Sequence, residues 1–425
     1  MVRFAAAWLL LVGLAAGCAA GPRGHEPFPA GADLAAVLDT GPWVRLAVAP
    51  AARRVAVEGT SLVVSDVERG QGALAGRPGR MRVELAAAGG EVTLDGRPSG
   101  TGRLRVEGAG PLAVAVDGGP SRLLRGRVEV LADAGALLVV NEIAMERYLA
   151  GVVPLEMDAR TWPMEALKAQ AVASRTYARF RRETRRRAGA RYDLETSVLD
   201  QVYGGAAAED PRAAAAVAAT AGEWLADAAG APILAAFHST AGGHTEASEE
   251  VWGTPRPYLV AQRCPYDRES PVYEWRVSVP VAEVERRLVE AGYPAAGLVR
   301  LDVRDRTRSG RARTVVATAA AGSFVLPATD LRRLLGFGRL KSTAFEVARD
   351  GDDLGFEGRG AGHGVGMCQW GARGMALAGH DYRQILEYYY PGARLVGRSR
   401  LDTGRPEAIH RAAPGAGRGR GEGST

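Results

Sequence analysis

A change of pattern near residue 141 constrains the fold of this chain more than any other sequence feature. Before it, short runs of β-type composition, such as Val44–Val48 and Ser61–Val64, are separated by Gly, Pro and Asp turns. That pattern is typical of an all-β module. A helix-rich stretch begins near Asn141, and after the helix-start signals Thr161-Trp-Pro163 its helical character continues without a breaker to about Arg187. The sequence therefore predicts a β-rich module followed by a helix-rich region.

The length and composition set the domain organisation. The chain has 425 residues, of which 47% are hydrophobic and 24% charged. These values indicate two or three globular domains and exclude a wholly disordered chain or a multi-span membrane protein. We expect, in chain order, a signal peptide at 1–17, a flexible tether at 18–40, a β-rich module at 41–121, a second domain at 122–393 with an α/β insertion at about 275–347, and a disordered basic tail at 394–425.

The N-terminus has the features of an export signal. Arg3 precedes an almost wholly apolar stretch, Phe4 to Ala16, which is shorter than the roughly twenty residues of a bilayer span. The small residues before Cys18 are similar to the lipobox of bacterial lipoproteins, although Leu14 lies one place earlier than the usual leucine. We expect an exported protein, held on the periplasmic face of a membrane by lipidation of Cys18. A plain secretory signal with a chance cysteine is the alternative.

Glu156 is a candidate general acid because it follows the apolar residues Val152–Leu155 and precedes a helix. Burial among apolar side chains disfavours the charged carboxylate and raises its pKa. A carboxylic acid that stays protonated near neutral pH can protonate a glycosidic oxygen. The alternative is a carboxylate at a helix start, where the macrodipole would lower the pKa. The sequence leaves both directions open.

Two further segments carry histidine. His363 lies in a loop with glycine at alternate positions from 358 to 366, which allows close approach of a ligand. No Gly-Lys-Ser/Thr follows, so the loop does not indicate a nucleotide site. His238 and His244 have no recognised zinc spacing, and Ser239 lacks the glycine-flanked elbow of a hydrolase nucleophile.

A basic stripe marks the predicted helix, because several cations fall on one of its faces at spacings of seven, four and three. Its members are Lys168, Arg175, Arg179 and Arg182. The stripe is either a solvated helix face or an electrostatic lip for an anionic glycan. The sequence does not decide between these interpretations.

Four segments together, in this order, resemble the sporulation stage II protein D / LytB family (SpoIID/LytB). They include Val152-Val-Pro-Leu-Glu-Met157, Ser197-Val-Leu-Asp-Gln201, Phe237-His-Ser-Thr-Ala-Gly-Gly-His244 and Gly362-His-Gly-Val-Gly-Met-Cys-Gln-Trp370. The resemblance covers about residues 122–272 and 352–393. It implies an α+β domain with a groove, and some members are lytic transglycosylases that cleave peptidoglycan glycan strands stripped of stem peptides.

The resemblance implies that Glu156 is the general acid/base. A lytic transglycosylase can work with one carboxylate, because the primary hydroxyl of the muramyl sugar replaces water, whereas ordinary glycosidases use two. No cofactor is expected. The remaining motif positions imply a substrate-binding set, which consists of Gln170, Arg175, Gln201, Tyr203, Ser239, His363 and Gln369.

The cysteines and the metal prediction follow from departures from the family pattern. Some members hold zinc through His and Cys in the segment that matches Ser197–Gln201, and this chain has neither there, so we predict no metal. Cys368 stands where Ser is common. Since two cysteines of an exported protein can pair, a Cys264–Cys368 disulfide is a hypothesis.

The charge balance bears on partners. A net charge of +6 suits an anionic polymer or a membrane face. A nucleic-acid binder would explain neither the export signal nor the Gly-His loop. The partners that we expect are peptidoglycan glycan strands, together with cell-wall amidases or divisome proteins. A non-catalytic glycan-binding enhancer of a cell-wall amidase is the alternative function, since LytB-type relatives are described in that way.

Overall fold

The computed structural model describes residues 34–70, 73–76, 78–196 and 200–397. The predicted signal peptide and the lipidation site at Cys18 lie outside these residues, as do most of the predicted tether and tail. Within the described ranges, no helix combines the length and the apolar character that a membrane crossing requires.

The first half of the described chain forms a sheet of eleven strands. The strands are β1 (Trp43–Ala52), β2 (Arg54–Asp66), β3 (Ala73–Gly76), β4 (Arg80–Ala88), β5 (Glu91–Leu94), β6 (Arg97–Pro98), β7 (Arg103–Val116), β8 (Arg122–Leu124), β9 (Arg127–Asp133), β10 (Ala136–Ala144) and β11 (Leu194–Glu195). The strand order is β11-β1-β10-β9-β7-β2-β4-β5-β6, with β3 beside β2 and β8 beside β7. Strands therefore dominate residues 43–144, as the turn pattern predicts.

The sheet does not end where the sequence analysis divides the β-rich module from the second domain. Strands β8, β9 and β10 follow residue 121, yet β8 pairs with β7 and β10 pairs with β1. The boundary at 121/122 thus falls inside one hydrogen-bonded sheet. Hydrophobic alternation marks where strands lie but not which strands pair.

A buried ion network covers part of one face of this sheet. The Glu129 carboxylate has no exposed side-chain surface and accepts hydrogen bonds from Arg45, Arg103 and Arg105. Arg127 contacts the neighbouring carboxylate of Glu142 at 2.7 Å. Because each buried charge has opposite charges around it, the polar face is compatible with a folded sheet.

One helix precedes the sheet in the chain, and the other described helices follow strand β10. The helices are α1 (Leu34–Leu38), α2 (Met145–Ala150), α3 (Val153–Glu156), α4 (Met164–Arg187), α5 (Pro211–Ala219), α6 (Ser248–Trp252), α7 (Val281–Glu290), α8 (Ala328–Leu335), α9 (Gln369–Leu377) and α10 (Tyr382–Tyr389). The α4 helix confirms the helix predicted to end near Arg187, and its N-cap is Pro163. Strands β1, β2, β4, β5 and β7–β10 and helices α1–α5, α9 and α10 contribute buried side chains to one hydrophobic core. The mixed α+β class is confirmed.

An inserted unit with its own hydrophobic core lies between helices α6 and α9 in the chain. Its strands are β14 (Glu274–Pro280), β15 (Arg300–Arg306), β16 (Ala312–Ala319), β17 (Gly322–Pro327), β18 (Phe345–Asp350) and β19 (Asp353–Arg359). Strand β19 pairs with both β14 and β18. The unit therefore extends to Arg359, past the predicted end at about residue 347.

Short strands connect the segments on either side of the inserted unit. These strands are β12 (Trp224–Ala226), β13 (Phe237–His238), β20 (Met367–Cys368) and β21 (Arg394–Val396). Strands β13 and β20 are parallel and pair Phe237 with Met367 and His238 with Cys368. This pairing brings the His238 segment and the Gly-rich His363 loop together.

Candidate functional site

Glu156 is the last residue of the one-turn helix α3. Pro154 lies in the first turn of that helix, and Met157 returns to extended backbone directly after Glu156. The side chain is half-buried, and desolvation by this burial raises the pKa of Glu156 to about 7. A dominant helix dipole would have lowered the pKa, so of the two directions that the sequence leaves open, the structure supports the raised one.

The Glu156 carboxyl group accepts two hydrogen bonds. The side-chain amide of Gln369 donates from Nε2 to Oε2 across 3.3 Å, and the backbone N–H of Val202 also donates to it. Both lower the pKa of Glu156, but by less than burial raises it. Within the described part of the chain, no second carboxylate contributes to the shift.

Gln369 is itself positioned by a row of polar side chains. Its Nε2 lies 3.5 Å from Oε1 of Gln170, and Nε2 of Gln170 donates to Oγ of Ser174 at 3.0 Å. Gln170 and Ser174 are fully buried on α4, while Gln369 begins α9. The predicted residues Glu156, Gln170 and Gln369 thus form one cluster, which spans three helices.

Gln201 and Tyr203 lie close to this cluster. The Tyr148 hydroxyl donates to Oε1 of Gln201 at 2.9 Å, and the rings of Tyr148 and Tyr203 are 5.5 Å apart. Burial raises the pKa of Tyr148, and the nearby Glu156 charge raises it further. Gln201 and Tyr203 are almost fully buried. They therefore pack beneath the site and do not present a surface to a substrate.

Arg175 is buried and bonds to other residues of the protein, so it is not available to contact a substrate. Its guanidinium contacts the Glu146 carboxylate at 2.5 Å and donates to the carbonyls of Glu223 and Val217. Both charged side chains are about 1–2% exposed. The basic stripe on α4 is therefore not a continuous solvated face, because its second member is buried beneath α2 and α5.

Ser239 follows β13 and contacts neighbouring chain segments. Its Oγ lies 3.2 Å from Oγ1 of Thr240, and its carbonyl accepts the backbone N–H of Trp370 at 3.1 Å. Ser239 thus helps to fix the start of α9 through its backbone. Its hydroxyl has no hydrogen bond with Glu156 among the described residues.

His363 belongs to a second group of aromatic side chains. Its ring centroid is 5.6 Å from that of His238 and 5.2 Å from that of Trp252. Nδ1 of His363 accepts the backbone N–H of Val365. Burial, together with the positive charges of Arg332 and Arg311, lowers the pKa of His363 to about 4. The ring is therefore neutral near pH 7, and no hydrogen bond between described residues joins it to Glu156.

Three apolar side chains near these groups were not among the sequence candidates. Leu155 directly precedes Glu156, and Val202 is the residue whose backbone N–H donates to the Glu156 carboxyl group. These two residues are 47% and 37% exposed, respectively. Trp252 is 44% exposed beside His363. An exposed apolar side chain beside a polar site is suited to the apolar face of a sugar. The only sequence signal that could have identified Trp252 is its position shortly after the His238–His244 segment.

The two cysteines of the described chain lie close together. Cys264 and Cys368 are fully buried free thiols, so the predicted disulfide is not formed in the structure. Their sulfurs and a carboxylate oxygen of Asp267 all lie within 4.8 Å of one another. This group is the one set of described side chains whose ligand atoms are close enough to hold a metal ion.

Comparison with protein families gives two matches. A model described as "Stage II sporulation protein" (SpoIID) matches residues 133–226. A model described as "Domain of unknown function (DUF8618)" matches residues 247–366, a range that includes the whole inserted unit. The first match contains Glu156, Gln170 and Gln201, whereas Gln369 lies just beyond the second.

Three similar proteins extend these matches. Stage II sporulation protein D of Bacillus subtilis is 35% identical over 285 residues, which are 60% of this chain and 75% of that protein. An uncharacterized protein of Brachyspira hyodysenteriae is 34% identical over 269 residues, 63% of this chain and 70% of that protein. The amidase enhancer of Bacillus subtilis is 32% identical over 296 residues, 58% of this chain and 40% of the enhancer.

Proposed function

This chain belongs to the SpoIID/LytB family, and from that membership together with the Glu156 site we propose that it is a lytic transglycosylase acting on peptidoglycan glycan strands. The observation that carries the proposal is the Glu156 carboxyl group, which accepts the Gln369 side-chain amide at 3.3 Å and whose pKa burial raises to about 7. A carboxyl group with such a pKa is available both as an acid and as a base near neutral pH.

The reaction would use Glu156 twice. First, its carboxyl O–H gives a proton to the glycosidic oxygen while the bond from that oxygen to the muramyl anomeric carbon breaks. The resulting carboxylate then removes the proton of the muramyl primary hydroxyl, whose oxygen bonds to the anomeric carbon. Water is not consumed: the leaving sugar gains the proton from Glu156, the muramyl hydroxyl gives its proton to Glu156 in return, and Glu156 ends in its protonated state.

The neighbouring residues have separate roles in this proposal. Gln369 and the Val202 backbone N–H stabilise the Glu156 carboxylate after the first proton transfer. Leu155 and Val202 offer exposed apolar surface to the bound strand, and the His363–Trp252 group is a further sugar-binding surface. We place the glycan in a groove between these two surfaces, with stripped strands as the substrate.

Localisation and partners complete the proposal. The protein would act in the cell envelope, on the periplasmic face of a membrane, anchored by lipid at Cys18. Cell-wall amidases or divisome proteins would be its protein partners. We also propose the domain limits given by the sequence analysis, with two changes. The large sheet spans the 121/122 boundary, and the inserted unit extends to Arg359.

A second function is favoured by one observation, the 32% identity to an amidase enhancer. In that case the chain would bind glycan without cleaving it and would increase the activity of a separate amidase. Both functions need glycan binding, so cleavage is the property that distinguishes them.

The decisive experiment uses glycan strands stripped of stem peptides. Purified protein, E156Q and D158N are incubated with the strands, and anhydromuramyl ends are counted by mass spectrometry. Asp158 is an exposed carboxylate two positions away, so D158N is the matched control. We expect product from wild type and D158N and a loss of about 100-fold or more in E156Q.

The enhancer function has its own result in the same series. Binding of strands without any anhydromuramyl product, together with faster stem-peptide release by an added cell-wall amidase, would establish it and reject the transglycosylase. Equal turnover by wild type and E156Q would move the catalytic role away from Glu156.

A further inference from the structure

Cys264 and Cys368 lie on opposite sides of the inserted unit. Cys264 precedes its first strand, β14, and Cys368 ends the strand β20 that follows its last one. The chain between them is roughly 100 residues long, a length for which a cross-link removes much entropy from the unfolded state. Despite this separation, both thiols are fully buried, and their sulfurs lie within 4.8 Å of each other.

The contacts of both sulfurs suit a covalent pair. Sγ of Cys368 accepts the backbone N–H groups of Ala241 at 3.2 Å and Gly371 at 3.3 Å. Sγ of Cys264 lies 3.2 Å from the Tyr389 hydroxyl. The backbone donors approach the sulfur of Cys368 itself, so these two contacts do not require a thiol hydrogen. The Cys368 thiol also donates across 3.6 Å to Oδ2 of Asp267 and across 3.7 Å to the Ser239 carbonyl. An S–S bond would replace only these two long contacts, and Oδ2 of Asp267 would keep the backbone N–H of Gly242 at 2.8 Å.

A structural metal suits the same position less well. Such sites hold zinc with four ligands, whereas this cluster has three, with Asp267 as the third. Packing around Gly371 is close: a Cβ there would lie 1.9 Å from the Tyr389 hydroxyl and 2.8 Å from Sγ of Cys264. A fourth side-chain ligand has little room on that side.

We propose that Cys264 and Cys368 are a disulfide-forming pair that closes the base of the inserted unit. The bond would fix the strand that returns from the unit, and with it the start of α9, where Gln369 follows Cys368. Oxidation breaks two S–H bonds and forms one S–S bond. The two electrons and two protons pass to the disulfide of a thiol oxidant, which becomes two thiols. The proposal does not depend on the transglycosylase chemistry.

The test uses the full chain carrying C18S, so that only the pair contributes thiols. The protein is equilibrated in oxidised and in reduced glutathione, denatured and alkylated, and its tryptic peptides are identified by mass spectrometry. We expect two alkylated thiols after reduction and none after oxidation, with peptide 264–268 linked to peptide 360–373. C264S and C368S, each in the C18S background, should leave one free thiol and no linked peptide.

Thermal unfolding then tests the role of the bond. We expect reduction to lower the Tm of the C18S protein by roughly 10 °C, and to leave C18S/C264S/C368S unchanged. Two free thiols that persist in oxidised glutathione would overturn the proposal, as would glutathione adducts in place of the linked peptides. A stoichiometric metal lost in C368S would assign the cluster to metal binding instead. A linked pair without any change in Tm would overturn the role at the base of the unit.

Discussion

The side-chain amide of Gln369 lies 3.3 Å from the Glu156 carboxylate, although the two residues are 213 positions apart in the chain. Glu156 is carried by α3, next to the large sheet, whereas Gln369 starts the helix that follows the inserted unit. The parallel pairing of β13 with β20 sets where that helix begins. The protonation of Glu156 therefore depends on a group that the chain supplies only after the inserted unit is complete.

Replacement of Gln369 should raise the pKa of Glu156 further. The Gln369 amide stabilises the charged carboxylate, so Q369L removes a contribution that lowers the pKa. We expect the midpoint to move upward from about 7 by roughly one unit. Carbon-13 NMR titration of the carboxyl groups measures this without relying on activity, and E156Q assigns the signal. An unchanged midpoint in Q369L would show that the 3.3 Å contact is not formed in solution.

The pH dependence of cleavage should follow the protonated fraction of Glu156. The proposed first step needs the acid form, whose population falls as pH rises through a pKa of about 7. We expect kcat/KM to decrease about tenfold per pH unit above pH 8. His363, with its pKa lowered to about 4, should add no inflection near pH 6.5. Initial rates on stripped strands between pH 5 and pH 9 check this, and a rate that increases up to pH 9 would contradict the acid role.

Removal of the Glu156 charge should stabilise the fold at neutral and alkaline pH. The folded pKa of about 7 lies above the usual value of 4.5. The unfolded chain therefore loses its proton first, and the wild type loses stability as pH rises from about 4.5 to 7. We expect E156Q to gain roughly 2–3 kcal/mol in free energy of unfolding at pH 8 and little at pH 4. Urea unfolding at both pH values measures the gain, which D158N should not show.

The family, the α+β class and helix α4 were predictable from sequence because they depend on local patterns. Motif spacing and hydrophobic periodicity remain the same whatever packs against the segment. The strand pairs were not predictable, and the division at residue 122 therefore fell inside a sheet that β8, β9 and β10 extend. The structure places the two predicted cysteine partners within 4.8 Å of each other, but the sequence does not determine whether they are oxidised.

The residues of the candidate site show the same difference between local sequence patterns and long-range packing. Gln170 and Gln369 carry motif positions, and the fold brings both to Glu156. The spacing of Arg175 shows which side of α4 it occupies but not what covers that side, and Glu146 does so from α2. His363 lies in the same motif as Gln369, six residues earlier and in the Gly-rich loop that precedes α9. The loop's glycines let it turn between the two, so His363 packs with Trp252 instead.

The buried pair of Arg175 and Glu146 should matter for stability rather than for glycan contact. Removing one member leaves an uncompensated buried charge, so we expect R175M to lose about 3–5 kcal/mol in free energy of unfolding. The double variant R175M/E146L should recover much of this loss, because neither charge remains. R187M, which changes a largely exposed arginine on the same helix, should lose less than about 0.5 kcal/mol. A stable R175M that has lost affinity for glycan would instead support the substrate role that the sequence predicts.

Trp252 should contribute to glycan binding without changing the chemistry at Glu156. Its ring is 44% exposed and lies 5.2 Å from the His363 ring, in a group separate from the proposed acid. Loss of this aromatic surface in W252A should weaken binding of stripped strands about tenfold, and W252F should retain part of the affinity. Calorimetry with E156Q as the background avoids cleavage during the measurement. F337A removes a ring of 59% exposure on the inserted unit and serves as the matched control. If W252A and F337A bind equally well, the second surface does not contact the strand, and the bound sugars are held near Glu156 alone.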